Sequence, residues 1–351
     1  MSVENHRILA RDQCPVFVVG CHRSGTNFLY DILLSAGGFA VYRGYLPIYK
    51  MLIPRFGSPA KFESRKKIMG TWLRSKGFRR SGLDPVRLTA KVMNECRTGG
   101  DFIRITMHEI ARQQGARRWA VYDPDNVVHV PTIKRDIPEA LFIHIIRDGR
   151  DIAVSLRKMG GFQPLPWDRG PRGLLATALY WEWMVRNGQR NGRSIPADYI
   201  EVRYEDLVSQ PRRTLQTLSQ FLDHDLDFDR LQNVCLGRLR PSNSSFLDEG
   251  CHENPVNRWK NRLSEKEISS LEALVGGLLE ELGYSLSMPQ EQRERGLREK
   301  WMRAIYPAFL NSKLWLKHNT ALGKLANLST LELTDSVPPT SAAEQVISDH
   351  N

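Results

Sequence analysis

Cysteine is scarce in this chain, and none of it is arranged for a metal or a staple. Cys14, Cys21, Cys96, Cys235 and Cys251 are odd in number, scattered and without a CxxC pair. That pattern excludes the common zinc spacings and a disulfide framework, and it suits the reduced thiols of a cytoplasmic protein. Long apolar runs are missing too. The polar stretch from Met1 to Gln13 leads only to the short run Val16–Val19, far below the roughly 20 residues of a spanning helix. Neither a signal nor a membrane span is therefore expected, and the expected location is the cytoplasm. Negative charge is in deficit: 39 Asp and Glu face 50 Lys and Arg, a net charge of +11. Such an excess suits anionic ligands. Nucleic acid is not the expected one, because no zinc spacing and no aromatic–basic RNA motif accompanies the charge. The rest is ordinary: 351 residues, 41% hydrophobic and 25% charged, enough for one α/β domain with a sizeable core and an extension.

One further absence is local and more informative. The apolar run Pro15–Val19 enters Gly20-Cys-His-Arg-Ser-Gly25, the Gly-x4-Gly spacing of a P-loop, but Thr26 stands where a nucleoside-triphosphate site puts its lysine. Arg23, Ser24, Gly25, Thr26 and Asn27 still offer a guanidinium, hydroxyls and the N–H groups opening a helix, which together hold a dianion other than an ATP γ-phosphate. The competing reading is a glycine turn needed only for packing. Cys21 lies in this loop, either as a thiol acidified by nearby N–H groups or simply as a small residue. A second apolar run, Leu141–Ile146, ends at Arg147, and Ser155 follows eight residues later. Two helical turns bring those two side chains toward one anion.

Apolar runs at 15–20, 118–122 and 141–146 alternate with helical patterns near 25–36, 127–136 and 148–159. That rhythm predicts a P-loop-like three-layer α/β fold, a central parallel sheet with helices on both faces and ligands at the strands' carboxyl ends. Residues 42–100 show no strand alternation and read as helices and loops over the site. Leu174–Gly188, with Tyr180, Trp181 and Trp183, has the spacing of a core helix rather than a ligand-stacking one. Beyond Tyr284, residues 290–300 are highly charged. Residues 301–325 carry apolar and aromatic side chains interrupted by Pro307, which read as helices packed back on the domain, or else as a membrane-surface or dimer contact. Residues 332–351, with Pro338 and Pro339, read as a disordered tail.

The loop at 20–25 and the Arg147…Ser155 segment together resemble the 5′-phosphosulfate loop and 3′-phosphate motif of sulfotransferases that use 3′-phosphoadenosine 5′-phosphosulfate (PAPS). The Arg-Ser-Gly-Thr form is similar to the tyrosylprotein and bacterial branches. Val202–Leu207, Asn257–Asn261 and Leu279–Tyr284 resemble later segments of the same family in the same order. The resemblance implies a sulfotransferase domain over 1–286 and stops there; composition adds a helical extension over 287–331 and the tail over 332–351. The resemblance also implies transfer of a sulfuryl group from PAPS to a hydroxyl or amine, leaving adenosine 3′,5′-bisphosphate (PAP), with no metal. Carried over residue by residue, it gives Arg23 and the loop donors to the 5′-phosphate, and Arg147 and Ser155 to the 3′-phosphate. Tyr204 falls near the adenine, or serves as a core aromatic at a strand end. Ser245 and Lys260 match positions that reach the cofactor phosphates, with Trp259 packing beside them. The acceptor, whether carbohydrate, glycolipid, small molecule or protein, and the oligomeric state stay open.

Two departures bear on catalysis. Relatives in the tyrosylprotein branch place a Glu after the loop helix, whereas Val41–Leu46 contains neither carboxylate nor histidine. Their Lys-Asp-Pro is Tyr122-Asp123-Pro124 here, so the lysine is missing. Asp123 is then the first candidate for the base, against the alternative that it caps the following turn. His22 is held in reserve. Rival functions are a noncatalytic PAP-binding protein and a P-loop kinase, the latter disfavoured by Thr26 and by Ile146-Arg147-Asp148 in place of a clean strand ending in a metal-binding Asp.

Overall fold

Residues 9–157, 173–231, 256–293 and 296–334 are described by a computed structural model. Five strands form one parallel sheet in the order β2–β3–β1–β4–β5: β1 Val16–Gly20, β2 Phe39–Ala40, β3 Arg118–Tyr122, β4 Leu141–Ile146 and β5 Tyr199–Arg203. The register sets Val18 level with Tyr122 on one side and Ile143 on the other, and Gly20 level with Ile145. Strand side chains alternate between faces, and both faces are covered, so the central strands read as continuous apolar runs. Phe17, Val19, Phe142 and Ile146 enter one core, and Val16, Val18, Ile143 and Ile145 the other.

Among the described residues, the helices of eight residues or more are α1 Thr26–Ser35, α2 Phe62–Leu73, α3 Pro85–Glu95, α4 Gly99–Gln114, α5 Gly149–Arg157, α6 Leu174–Gly192, α7 Pro211–Leu222, α8 Glu265–Glu281 and α9 Leu297–Asn319. Leu29 and Leu33 of α1 and Leu215 and Leu218 of α7 close the second core. The first core is closed by α4, α6 and α8, through residues such as Phe102, Trp181 and Leu274. The result is the three-layer α/β fold read from the sequence. Reciprocal capping boxes start α4 (Thr98 with Asp101) and α8 (Ser264 with Glu267), each satisfying donors that helix formation leaves open.

Helix α6 is a core helix, as its spacing predicts. Trp181 is fully buried and its Nε1–H donates to the Arg147 carbonyl at 3.0 Å. Residues 42–100 form short helices and turns. The C-terminal extension packs back on the domain: Arg303 of α9 pairs with Glu182 at 2.6 Å, and Trp183 donates to Asn311 at 2.8 Å. Past α9 the chain runs along residues 51–79. Leu331 is buried, Lys76 pairs with Glu332 at 2.6 Å, and the Thr334 N–H donates to the Arg74 carbonyl at 3.1 Å. Glu332–Thr334, assigned to the tail by composition, are therefore docked by polar contacts that apolar content does not register.

Candidate active site

The loop after β1 is shaped by backbone that only glycine tolerates in places. Gly25 has φ +101° and ends at van der Waals contact with Tyr204: a Cβ there would meet the ring at 2.5 Å. At Gly20 a Cβ would meet the Ile145 carbonyl oxygen at 2.5 Å. Gly25 also caps α1 without offering any side-chain acceptor, so the opening of α1 presents backbone donors with the positive end of the helix dipole behind them. Asn27 is exposed there and Thr26 is buried. Ser24 departs from expectation. Its hydroxyl and its N–H both donate to the Cys21 carbonyl, at 2.7 and 3.1 Å, and the residue is fully buried. It braces the loop from inside, with both donors committed to the loop's own backbone. Burial pushes the Cys21 thiol well up, which leaves the small-residue reading.

Strand order places the two anion motifs side by side, since β4 pairs directly with β1. Arg23, in the left-handed region at φ +74°, donates from Nε to Ser155 Oγ at 2.9 Å, and Arg147 Nη1 donates to the Arg23 carbonyl at 3.3 Å. Arg23, Arg147 and Ser155 thus meet across 132 residues of sequence. Tyr204 is fully buried, with the Arg147 guanidinium 4.4 Å from its ring centroid. It is the platform for Arg147 and a wall for the loop, which is the core-aromatic alternative.

The later segments brace this corner. Asp151 of α5 accepts from the backbone N–H groups of Asn257 and Trp259, at 3.0 and 2.9 Å, and lies 3.7 Å from Arg147. Lys260 is exposed on that anchored turn, 5.7 Å from the Trp259 ring. Glu205 accepts from the Asp148 N–H at 2.9 Å and from Tyr284 Oη at 2.8 Å. Buried Arg150 ties Asp148 to Glu272 at 2.8 and 2.6 Å. Ser245 lies outside the described residues.

On the β3 side, Asp123 uses its two oxygens differently. Oδ1 accepts from the Asp125 N–H at 3.1 Å, capping the turn Pro124–Val128. Oδ2 is buried without a hydrogen-bond partner among the described residues, and Asp123 lines a small cavity together with Tyr30, Tyr42, Leu46 and Tyr122. Burial, reinforced by Asp125 and opposed by Lys50 and His22, pushes its pKa up to about 6. Beside it stands a cluster that the sequence did not disclose. Asp125 Oδ2 accepts from His22 Nε2 at 3.0 Å and from Lys50 Nζ. Burial works to raise Asp125, but His22 and Lys50 prevail and hold it well below the usual carboxylate range. Burial works to lower Lys50, and Asp125 and Asp123 reverse it. The only trace of Lys50 in the sequence is a single cation inside the otherwise apolar run Ile48–Leu52. From the extension, His318 reaches the ring of His129 at 5.0 Å, and burial, with Lys50 adding to it, brings Lys317 down to about 8.

A parallel sheet ordered 2-3-1-4-5, with a lysine-free glycine loop and an arginine–serine pair at adjacent carboxyl ends, defines a parallel α/β protein whose candidate site lies where ligands of such sheets bind. The sequence model of the Sulfotransferase family matches residues 15–229, and the chain belongs to that family. A Caenorhabditis briggsae protein named "Putative protein-tyrosine sulfotransferase" is 25% identical over 289 residues, spanning 78% of this chain and 89% of its own length. A Caenorhabditis elegans protein of the same name is 26% identical over 176 residues, 47% of this chain and 65% of that protein. Among solved structures, the sulfotransferase domain from the Synechococcus PCC 7002 olefin synthase shares the fold, with a TM-score of 0.52 at 21% identity over 78% of this chain and 96% of that one. Among the described residues no helix is long and apolar enough to cross a membrane.

Proposed function

We propose that the chain moves a sulfuryl group from PAPS to an acceptor hydroxyl or amine. The observation that carries this reading is the meeting of Arg23, Arg147 and Ser155, contributed by two motifs, at the carboxyl ends of β1 and β4. The residues fit a nucleotide with two separate anionic groups: one at the α1 opening, where glycines allow close approach, and one at the Arg147–Ser155 corner. When bound, PAPS supplies an activated sulfuryl group on a phosphate that leaves with the bond's electrons. Arg23 and the α1 N–H groups stabilise the charge left on that phosphate oxygen. Asp123 Oδ2, desolvated and uncommitted, accepts the acceptor's proton. Lys50 supplies the cation that Tyr122 does not, from a different element. A second candidate for the base rests on the His22–Asp125 contact: a carboxylate only accepts, so Nε2 donates to it, and when the ring is neutral Nδ1 holds the lone pair. The buried free thiols Cys14, Cys21 and Cys96 support a cytoplasmic location.

The test is to offer the protein PAPS with phenols, including tyrosyl peptides, and with amines and sugars, and to follow PAP release alongside melting temperature. PAP should raise the melting temperature by mass action far more than ATP with magnesium. Equal shifts would sink the PAPS reading. A PAP-specific shift with no transfer to any acceptor would leave a noncatalytic nucleotide binder.

A further inference from the structure

Exposed large apolar side chains are concentrated at one end of the molecule. Of ten among the described residues, eight lie between Leu297 and Leu333, with Leu297 87%, Trp301 64%, Trp315 60% and Leu325 74% exposed. On α9 they share a face. At about 100° per residue, Leu297, Trp301, Ile305, Trp315 and Leu316 fall within an arc of about 100°. Arg303 and Leu310, which pack on the domain, point the opposite way. Leu322 and Leu325 continue the exposed apolar surface into the turn Ala321–Leu325. Exposed Lys300 and Lys313 flank the arc on either side, and Lys324 is exposed beside Leu325. Over 297–325 the chain has six basic residues (Arg298, Lys300, Arg303, Lys313, Lys317 and Lys324) against the single acid Glu299.

We propose that this face docks the protein on an anionic lipid surface, with the α9 arc lying in the headgroup layer and the flanking lysines on the lipid charges. Tryptophan and leucine on one side of a helix bordered by lysine is the composition of an interfacial helix, which sinks about 5–10 Å without spanning. Charge selects the occupant. A two-fold pairing of two copies through this face would oppose like charges, whereas an anionic bilayer neutralises them.

The test uses the full chain, sedimented with vesicles of phosphatidylcholine alone or of phosphatidylcholine mixed equally with phosphatidylglycerol, at low and high salt. Sedimentation with the mixed vesicles only, weakened by salt, is expected. The double substitution Trp301→Ala and Trp315→Ala should weaken it about tenfold or more, while the PAP-induced rise in melting temperature stays intact as the control for folding. Absence of binding, equal binding to both vesicle types, or equal binding by the double variant would each overturn the proposal. So would a concentration-dependent dimer, measured by analytical ultracentrifugation, that the same two substitutions abolish.

Discussion

As the proposed base, Asp123 holds two jobs on one carboxyl group, and they separate by substitution. Asparagine keeps an oxygen for the Asp125 N–H, so the turn stays capped, but it cannot take a proton. Turnover of Asp123→Asn should fall about 100-fold with PAP affinity nearly intact. If stability drops instead, and the rate falls only in proportion to the folded fraction, the cap is its whole role. The raised pKa gives a signed companion. Below about pH 6 Asp123 is protonated and cannot act as a base, so kcat should fall about tenfold per unit as pH drops through that region. Lys50→Met removes a charge that holds this pKa down, so the acid limb should move to higher pH; an unmoved limb would assign it to another group, with His22 next. At the other end of the site, Arg147→Ala removes a charge-assisted contact of about 1.5–3 kcal/mol. Affinity for PAP should drop roughly 10- to 150-fold, while adenosine 5′-phosphosulfate, without a 3′-phosphate, is little affected; equal losses would indicate damage to the corner rather than loss of one contact.

At the scale of elements, the loop between β1 and α1 is held by close approach at Gly20 and Gly25. Gly25 and Gly37 both adopt positive φ, +101° and +79°, but a Cβ at Gly37 meets nothing within 4 Å while one at Gly25 strikes Tyr204. Gly37→Ala should therefore carry only the backbone strain, about 1–2 kcal/mol, with PAP binding unchanged. Gly25→Ala adds a steric clash with the Tyr204 ring, which is fully buried and already packed against the Arg147 guanidinium. Titration calorimetry should find PAP affinity reduced in Gly25→Ala alone. Comparable affinities in the two variants would refute the close-approach role of Gly25.

For the whole molecule, the segment past α9 ties the extension to the 48–80 region. Leu331 is 2% exposed and belongs to the same core as Met51, Leu52 and Trp72. Leu331→Ala should cost about 2–4 kcal/mol and lower the melting temperature by several degrees. An unchanged melting temperature would mean that residues 320–334 do not hold the 48–80 region in place. Because that region carries Lys50, its loosening should reach turnover before nucleotide affinity, and kcat compared with the PAP dissociation constant measures this.

Local order was legible from residues alone. Gly20-x4-Gly25 implied a phosphate loop, the eight-residue spacing of Arg147 and Ser155 implied one shared anion, and alternating apolar and amphipathic runs implied a parallel three-layer fold. The loop and the Arg147–Ser155 spacing depend on contacts within a few helical turns, where spacing alone sets geometry, and the sheet showed only through the alternation of its runs. Tertiary structure decided what depended on distant pairings. Lys50 reaches Asp125 across 75 residues and His22 reaches it across 103, and no local pattern encodes either. Burial turned Ser24 inward and made Tyr204 a platform, and docking drew Glu332–Thr334 out of the tail. Composition reports how polar a residue is; which neighbour answers that polarity is set by the chain crossings that closed the sheet.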